Sequence, residues 1–168
     1  MLALARTDAV AQAGLDTAGR APVDLVALLH AQVERHLDAA VARRVDLGLD
    51  TAPAAVPGEA WMLQEMVANL VDNALRYAPP DSQVTLRCGL ATAGDAFVEV
   101  EDAGPGIAPA QRKRALQRFV RLSESDGPGS GLGLAIVQDV ARAHGAQVQI
   151  DSGAGGRGTL VRVQFTPP

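Results

Sequence analysis

Five side chains able to do chemistry recur at helical spacing on one short stretch. Within LQEMVANLVDNALRYAPP, Leu63 to Pro80, Glu65, Asn69 and Asn73 repeat every four residues, and Arg76 and Tyr77 carry the stripe into the next turn. Side chains so spaced stand one above another on one helix face. Asn is a poor helix former because its carboxamide competes for nearby backbone groups, so two of them a turn apart cost stability. Carboxamide oxygens are hard, neutral ligands suited to a hydrated Mg²⁺ shared with phosphates. A solvated helix face is the other reading of the same stripe.

Two glycine-bearing segments follow. In DAGPGI, Asp102 to Ile107, the glycines Gly104 and Gly106 let the backbone turn sharply and approach a flat ligand. Asp102, at a strand end, is a fixed acceptor for an exocyclic amine such as adenine's. A tight surface turn uses the same residue types. In GSGLGLAIV, from Gly129, a Gly-rich loop opens a helix, where unpaired N–H groups and the helix dipole receive phosphate. The dinucleotide fingerprint G-x-G-x-x-G fails here: from Gly129 its last position is Leu134, and from Gly131 it is Ile136. Between the two segments, Arg114, Arg118 and Arg121 form a cationic face and Leu116, Phe119 and Leu122 an apolar one. Such runs are commonly solvated. Beside a phosphate loop, a guanidinium can also neutralise charge on a transferring phosphoryl group, and Arg121 lies nearer the loop.

The elements that must position these residues are legible from periodicity. Leu63, Met66, Val67, Leu70 and Ala74 form the apolar face of the Asn-bearing helix, which Pro79 and Pro80 stop. Asp24 is placed to cap a helix from about Leu25 to Arg43, with Leu25, Leu28, Leu29, Val33 and Leu37 as its buried stripe. His30 and His36 on that helix read as surface or boundary histidines. Strands are expected at Arg44 to Asp50, Ser82 to Leu90, Ala96 to Glu101, Gln147 to Asp151 and Gly158 to Phe165, with short extended pieces at 21–25 and 54–60. A basic helical stretch is expected over QRKRALQRFVRL, and a second long helix over Gly131 to His144 with Gly145 just past its end. Val84, Leu86 and Cys88 on one side imply a sheet covered on one face. Five to seven strands and three substantial helices in this order are not a βαβ alternation. They fit an α+β, two-layer sandwich: a mixed, mostly antiparallel sheet with the helices on one face.

Composition narrows the function. With 168 residues, 48% hydrophobic and 20% charged, the chain can build one real core. A net charge of −4 and 3% aromatics argue against nucleic acid as a partner and against a base-stacking platform. Lys113 is the only lysine, and no Gly-Lys-Ser/Thr occurs, which removes the P-loop. The lone Cys88 reads as a buried core thiol and fits a reducing compartment. No apolar run reaches the length of a membrane span, so a cytoplasmic fragment without direct membrane contact is expected.

The order of the motifs resembles the catalytic ATP-binding domain of sensor histidine kinases, in the Bergerat-type group with gyrase, the heat-shock chaperone and the mismatch-repair ATPase. NLVDNALRYAPP is similar to its N box, VEDAGPGI to its first Gly box, LQRFVRL to its F box and GSGLGLAIV to its second Gly box. The resemblance runs from about Pro22 to Pro167. It implies a Bergerat fold and the cofactors ATP and Mg²⁺. It implies that Asn73 holds the metal, that Asn69 lies by the phosphates or the metal's water shell, that Arg76 contacts phosphate and that Tyr77 packs near adenine. Asp102 would accept from the adenine amino group in a pocket shaped by Gly104, Gly106 and Ile107, and Thr159 would close that pocket. Arg121 would approach the γ-phosphate, and Gly131, Leu132, Gly133 and Leu134 would bind the phosphates.

Hydrolysing relatives carry a Glu four residues before the metal-binding Asn. That place is Asn69, which cannot act as a general base, and Glu65 is a turn too early. The resemblance thus implies a kinase whose catalytic residues are Asn69 and Arg121. Its partners would be a histidine-bearing dimerisation hairpin and a response regulator. A clamp-type ATPase or serine kinase, and a non-catalytic nucleotide sensor, are the alternatives. Three features depart from the usual pattern: Arg76 stands where many members have Lys, the lid between Phe119 and Gly131 is short and lysine-free, and no phosphoacceptor hairpin is present. His144, in an A-x-x-H-G ending, reads as structural. Residues 1–20 read as the remnant of the hairpin helix and its linker, and 21–168 as the ATP-binding domain.

Overall fold

A computed structural model describes residues 20–120 and 131–166. The expectations for residues 1–19 and for Arg121 and Leu122 lie outside the described residues. The chain enters through β1 (Pro22–Asp24) and passes directly into α1 (Leu25–Arg43). Asp24 caps that helix as expected: its Oδ1 accepts from the N–H groups of Val26 (2.8 Å) and Ala27 (3.3 Å). After β2 (Val45–Thr51) and β3 (Ala55–Pro57) comes α2 (Ala60–Tyr77), the Asn-bearing helix. It ends at Ala78, whose φ −63° and ψ 127° are the extended conformation that a following proline imposes. Strands β4 (Ser82–Leu90) and β5 (Ala96–Asp102), the short α3 (Pro109–Ala115), α4 (Gly133–Ala143), β6 (Ala146–Ser152) and β7 (Thr159–Phe165) complete the order.

Five strands form one mixed sheet in the order β2-β4-β5-β7-β6, in which β2 runs parallel to β4 and the other pairs are antiparallel. Strands β1 and β3 form a separate antiparallel pair. One sheet face carries Val84, Leu86, Cys88, Val98, Val100, Val161 and Val163, all buried against the helical layer. Alternation places Phe97, Glu99, Glu101, Arg87 and Arg162 on the other face, where Arg162 pairs with Glu99 and stacks 4.8 Å from the Phe97 ring centroid. The expected two-layer α+β architecture is observed.

Three local expectations change. Leu37, assigned to the buried stripe of α1, is 52% exposed, and Gln32 and His36 are buried instead. The stripe rotates because His36 reaches across to α2, its Nε2 3.2 Å from Asp72 Oδ1. His36 is therefore an interior residue, while His30 is exposed as expected. The basic helix stops at Ala115: Phe119 has φ 62°, a left-handed conformation no helix can continue through, and is 65% exposed.

Candidate functional site

The site is framed by α2, the β5–α3 loop, the β6–β7 connection and the start of α4. At one end lies Asp102, the last residue of β5 and 6% exposed. Its Oδ1 accepts from the N–H of Gly104 (2.8 Å) and of Thr159 (3.3 Å), and the Thr159 side chain adds a further bond. Both backbone donors converge on Oδ1, so Oδ2 takes no backbone donor. Burial pushes the Asp102 carboxyl above the ordinary carboxylate range, although the Gly104 and Thr159 donors pull it down. Thr159 is buried and is the register partner of Asp102 across β5 and β7.

Glycines make this end possible. A Cβ on Gly104 would stand 2.7 Å from the Tyr77 carbonyl oxygen, so the first Gly-bearing loop lies against the last turn of α2. Gly106, at φ 80°, would place a Cβ 2.8 Å from the Gly158 carbonyl oxygen. A Cβ on Gly158, at φ 70°, would collide with the Asp102 carbonyl oxygen. Sequence reasoning singled out Gly104 and Gly106 but not Gly158, whose only signal was the run GAGGRG before the last strand. It also missed Arg112, which donates to the Ile107 carbonyl (3.2 Å), Asp151 Oδ1 (3.0 Å) and Ser152 Oγ (3.0 Å), fastening the loop to the end of β6.

The other end joins α2 to α4. Asn69 Nδ2 donates to the Glu65 carbonyl a turn earlier (2.8 Å), and its Oδ1 lies 3.6 Å from where a Gly133 Cβ would be. Gly133 is the first residue of α4, whose N-cap, Leu132, offers no side-chain acceptor. Gly131, at φ 66°, accepts at its carbonyl from Phe119 N–H (3.0 Å). Arg118 braces the same corner through Asp139 on α4, N to O 2.8 Å. Asn73 and Tyr77 are half-buried and Arg76 is exposed. Among the described residues the Asn73 carboxamide makes no hydrogen bond, and no cluster of three His, Cys, Asp or Glu could hold a metal. The sequence-predicted residues are thus brought together in two groups, Tyr77 with Asp102, Gly104, Gly106, Ile107 and Thr159, and Asn69 with Gly131 to Leu134; Asn73 and Arg76 lie between them on α2.

The sequence pattern of the histidine kinase-, DNA gyrase B- and HSP90-like ATPases matches residues 58–168. The chain belongs to this ATPase family. Within it, the chain is 34% identical over 137 residues to the swarming motility regulation sensor protein RssA of Serratia marcescens, covering 81% of this chain and 29% of RssA. It is 38% identical over 134 residues to the signal transduction histidine-protein kinase/phosphatase MprB of Mycolicibacterium smegmatis, covering 77% of this chain and 26% of that protein. The chain thus spans less than a third of the length of these curated relatives. Among solved structures it superposes on a mycobacterial sensor histidine kinase MprB with a TM-score of 0.76 at 32% identity, covering 87% of this chain and 96% of that one. Full-length ShkA in complex with AMPPNP gives a TM-score of 0.76 at 27% identity, covering 93% of this chain and 33% of that one. No described helix of this ATPase-family domain is long and apolar enough to cross a membrane.

Proposed function

We propose that this domain binds Mg²⁺–ATP between α2 and the mouth of α4 and donates the γ-phosphoryl group to a histidine on a separate helical hairpin of a parent sensor kinase. The observation that carries the reading is Asn69. It occupies the place from which a carboxylate would activate water, and it is a carboxamide tied back to Glu65 with its oxygen turned toward Gly133. Such a site holds a triphosphate without readily transferring it to water.

Asp102 accepts from the adenine amino group through Oδ2, with Gly104, Gly106, Ile107, Thr159 and Tyr77 around the ring. Asn73 fits a metal shared with phosphates, because its half-buried carboxamide has no partner among the described residues and no carboxylate cluster competes. Bound Mg²⁺ neutralises phosphate charge. Arg76 contacts phosphate, Gly131 to Leu134 present backbone N–H groups to it, and Arg121 approaches the γ-phosphate. The acceptor hairpin and a response regulator are the partners, on the cytoplasmic side of the membrane.

Calorimetry with ATP, with and without Mg²⁺, tests the binding half: heat that requires the metal is expected, and its absence ends the reading. Incubation with γ-labelled ATP tests the transfer half. The isolated chain should stay unlabelled, and addition of the parent hairpin should yield acid-labile label on the hairpin. Steady phosphate release that disappears in Asn69→Ala would reassign the domain to the hydrolases.

A further inference from the structure

His144 lies outside the nucleotide site but touches both of the helices that build its phosphate end. It is the C-cap residue of α4, 5% exposed. Nδ1 faces the Val140 carbonyl oxygen at 2.8 Å, which can only accept, so Nδ1 carries the proton. Nε2 is then bare, and it receives the N–H of Glu59, the N-cap residue of α2, at 3.1 Å. Glu59 offers α2 no side-chain cap, and its own N–H is taken up by the His144 ring. The ring is held in place from behind: a Cβ on Gly58 would stand 2.7 Å from its Cδ2 and 2.9 Å from Nε2.

The two helices run antiparallel, packed through buried core side chains, with a polar meeting point toward each end. Glu59 meets His144 at one end, and Asn69 meets Gly133 at the other. Asn69 is ten positions after Glu59 and His144 eleven after Gly133, spans of about 15 and about 16.5 Å at the helical rise. A slip of one residue at the His144 end therefore carries Asn69 about 1.5 Å along α4, away from Gly133.

We propose that His144 is a positioning residue for the nucleotide, its Nε2 pinning the first turn of α2 to the last turn of α4 and so setting the register in which Asn69 faces the mouth of α4. The inference rests on the nucleotide-binding reading above. It has a consequence in acid. A proton on Nε2 puts one N–H against another and removes the pin. Two charged groups face the ring from outside its own helix: Glu59 from the loop before α2, and Arg20 from the chain entering β1, which donates to the Ala143 carbonyl at 2.9 Å. Arg142, on α4 itself, is exposed. Burial, with Arg20 adding to it, holds the ring below the ordinary histidine value of 6.5, while the Val140 bond and Glu59 pull it up. The folded chain therefore takes up this proton less readily than the unfolded chain. The stability contributed by neutral His144 is whole above 6.5 and is lost as pH falls from there through the folded value.

The test is the affinity for Mg²⁺–ATP, measured by calorimetry at pH 7.5 and 5.5 in the unaltered chain, His144→Gln and His144→Asn. Gln carries an acceptor to the Nε2 position without a titrating proton, whereas Asn reaches only the Nδ1 position. His144→Gln should keep wild-type affinity at pH 7.5, and His144→Asn should lose about fivefold, the worth of one hydrogen bond. Toward acid the unaltered chain should weaken more than His144→Gln, by up to about fivefold once the ring is protonated, a ratio that cancels titration of the nucleotide and of Asp102. Equal pH profiles for the unaltered chain and His144→Gln, with tight binding in both, overturn this inference alone. Absence of binding by the unaltered chain at pH 7.5 overturns the nucleotide reading and this inference with it. Long-range ¹H–¹⁵N spectra of the His144 ring need no substitution: a bare Nε2 at pH 7.5 is expected, and a proton there overturns the proposal.

Discussion

The two ends of the site are built from different materials. Around Asp102 the closest approaches are backbone on backbone: Gly104 on Tyr77 of α2, and Gly106 on Gly158 and Gly158 on Asp102 where β5 and β7 lie in register. Around Asn69 the contacts run mainly through side chains, a carboxamide against Gly133 and Arg118 against Asp139, with one backbone bond from Phe119 to Gly131 beside them. A sheet register fixes every residue along it at once. A helix pair is fixed only at the points where something pins it. The end around Asp102 is therefore the preformed one, and the end around Asn69 is the one that substitutions and pH can move.

Gly158→Ala should break the preformed end most severely. It demands a left-handed conformation of alanine and places a methyl group on the Asp102 carbonyl, so a loss of about 3 kcal/mol or more is expected in urea denaturation. A variant as stable as the wild type would show that this cradle is not rigid.

Asp102→Asn separates fold from ligand at the same end. The carboxylate-to-amine bond is worth about 1.5–3 kcal/mol, so ATP affinity should fall roughly 10- to 150-fold while inorganic tripolyphosphate binds as before. Stability should hold or rise. A carboxyl pushed up by burial costs the neutral-pH fold something, and that cost is relieved as pH falls through the raised folded value. Acid should therefore weaken ATP binding through Asp102 while this group's penalty on the fold disappears. A melting temperature that drops with the substitution would show that the charge supports the fold.

How much of each end was legible follows from the same contrast. The helix stripes, the Asp24 cap and the alternation of β4 and β5 announce themselves in local spacing, and so do Asn69, Asp102 and the glycines beside them. Gly158 and Gly58 do not, because what they make room for, Asp102 and His144, lies far away in the sequence. Leu37 and His36 were exchanged for the same reason: an apolar residue inside and a histidine outside is the local preference, and a partner on α2 reverses it. The basic stretch kept a helical period past Ala115, but the Phe119 N–H is used by Gly131 instead of by the preceding turn.

Asn73→Ala probes the stretch of α2 between the two ends. With Mg²⁺ present, affinity for ATP should fall about tenfold or more, and without the metal the variant and the wild type should bind alike. Alanine is the better helix former, by roughly 0.5 kcal/mol, so the variant should melt no lower than the wild type. Loss of affinity that is the same with and without Mg²⁺ would place Asn73 on the nucleotide and not on the metal.

The smallest effect separates bracing from binding. Arg118 and Asp139 form a part-exposed pair, their side chains 41% and 23% accessible, and such pairs contribute at most about 1 kcal/mol. Arg118→Ala should therefore lower stability by less than that, and by less still in high salt. Its influence on ATP should arise only through geometry, because Arg118 already has a partner on α4. Asp139→Ala, which frees the guanidinium without removing it, should then weaken ATP binding about as much as Arg118→Ala does, within twofold. If Asp139→Ala instead tightens binding while Arg118→Ala weakens it, Arg118 reaches the phosphates itself. The end around Asn69 would then hold a cationic arm of its own.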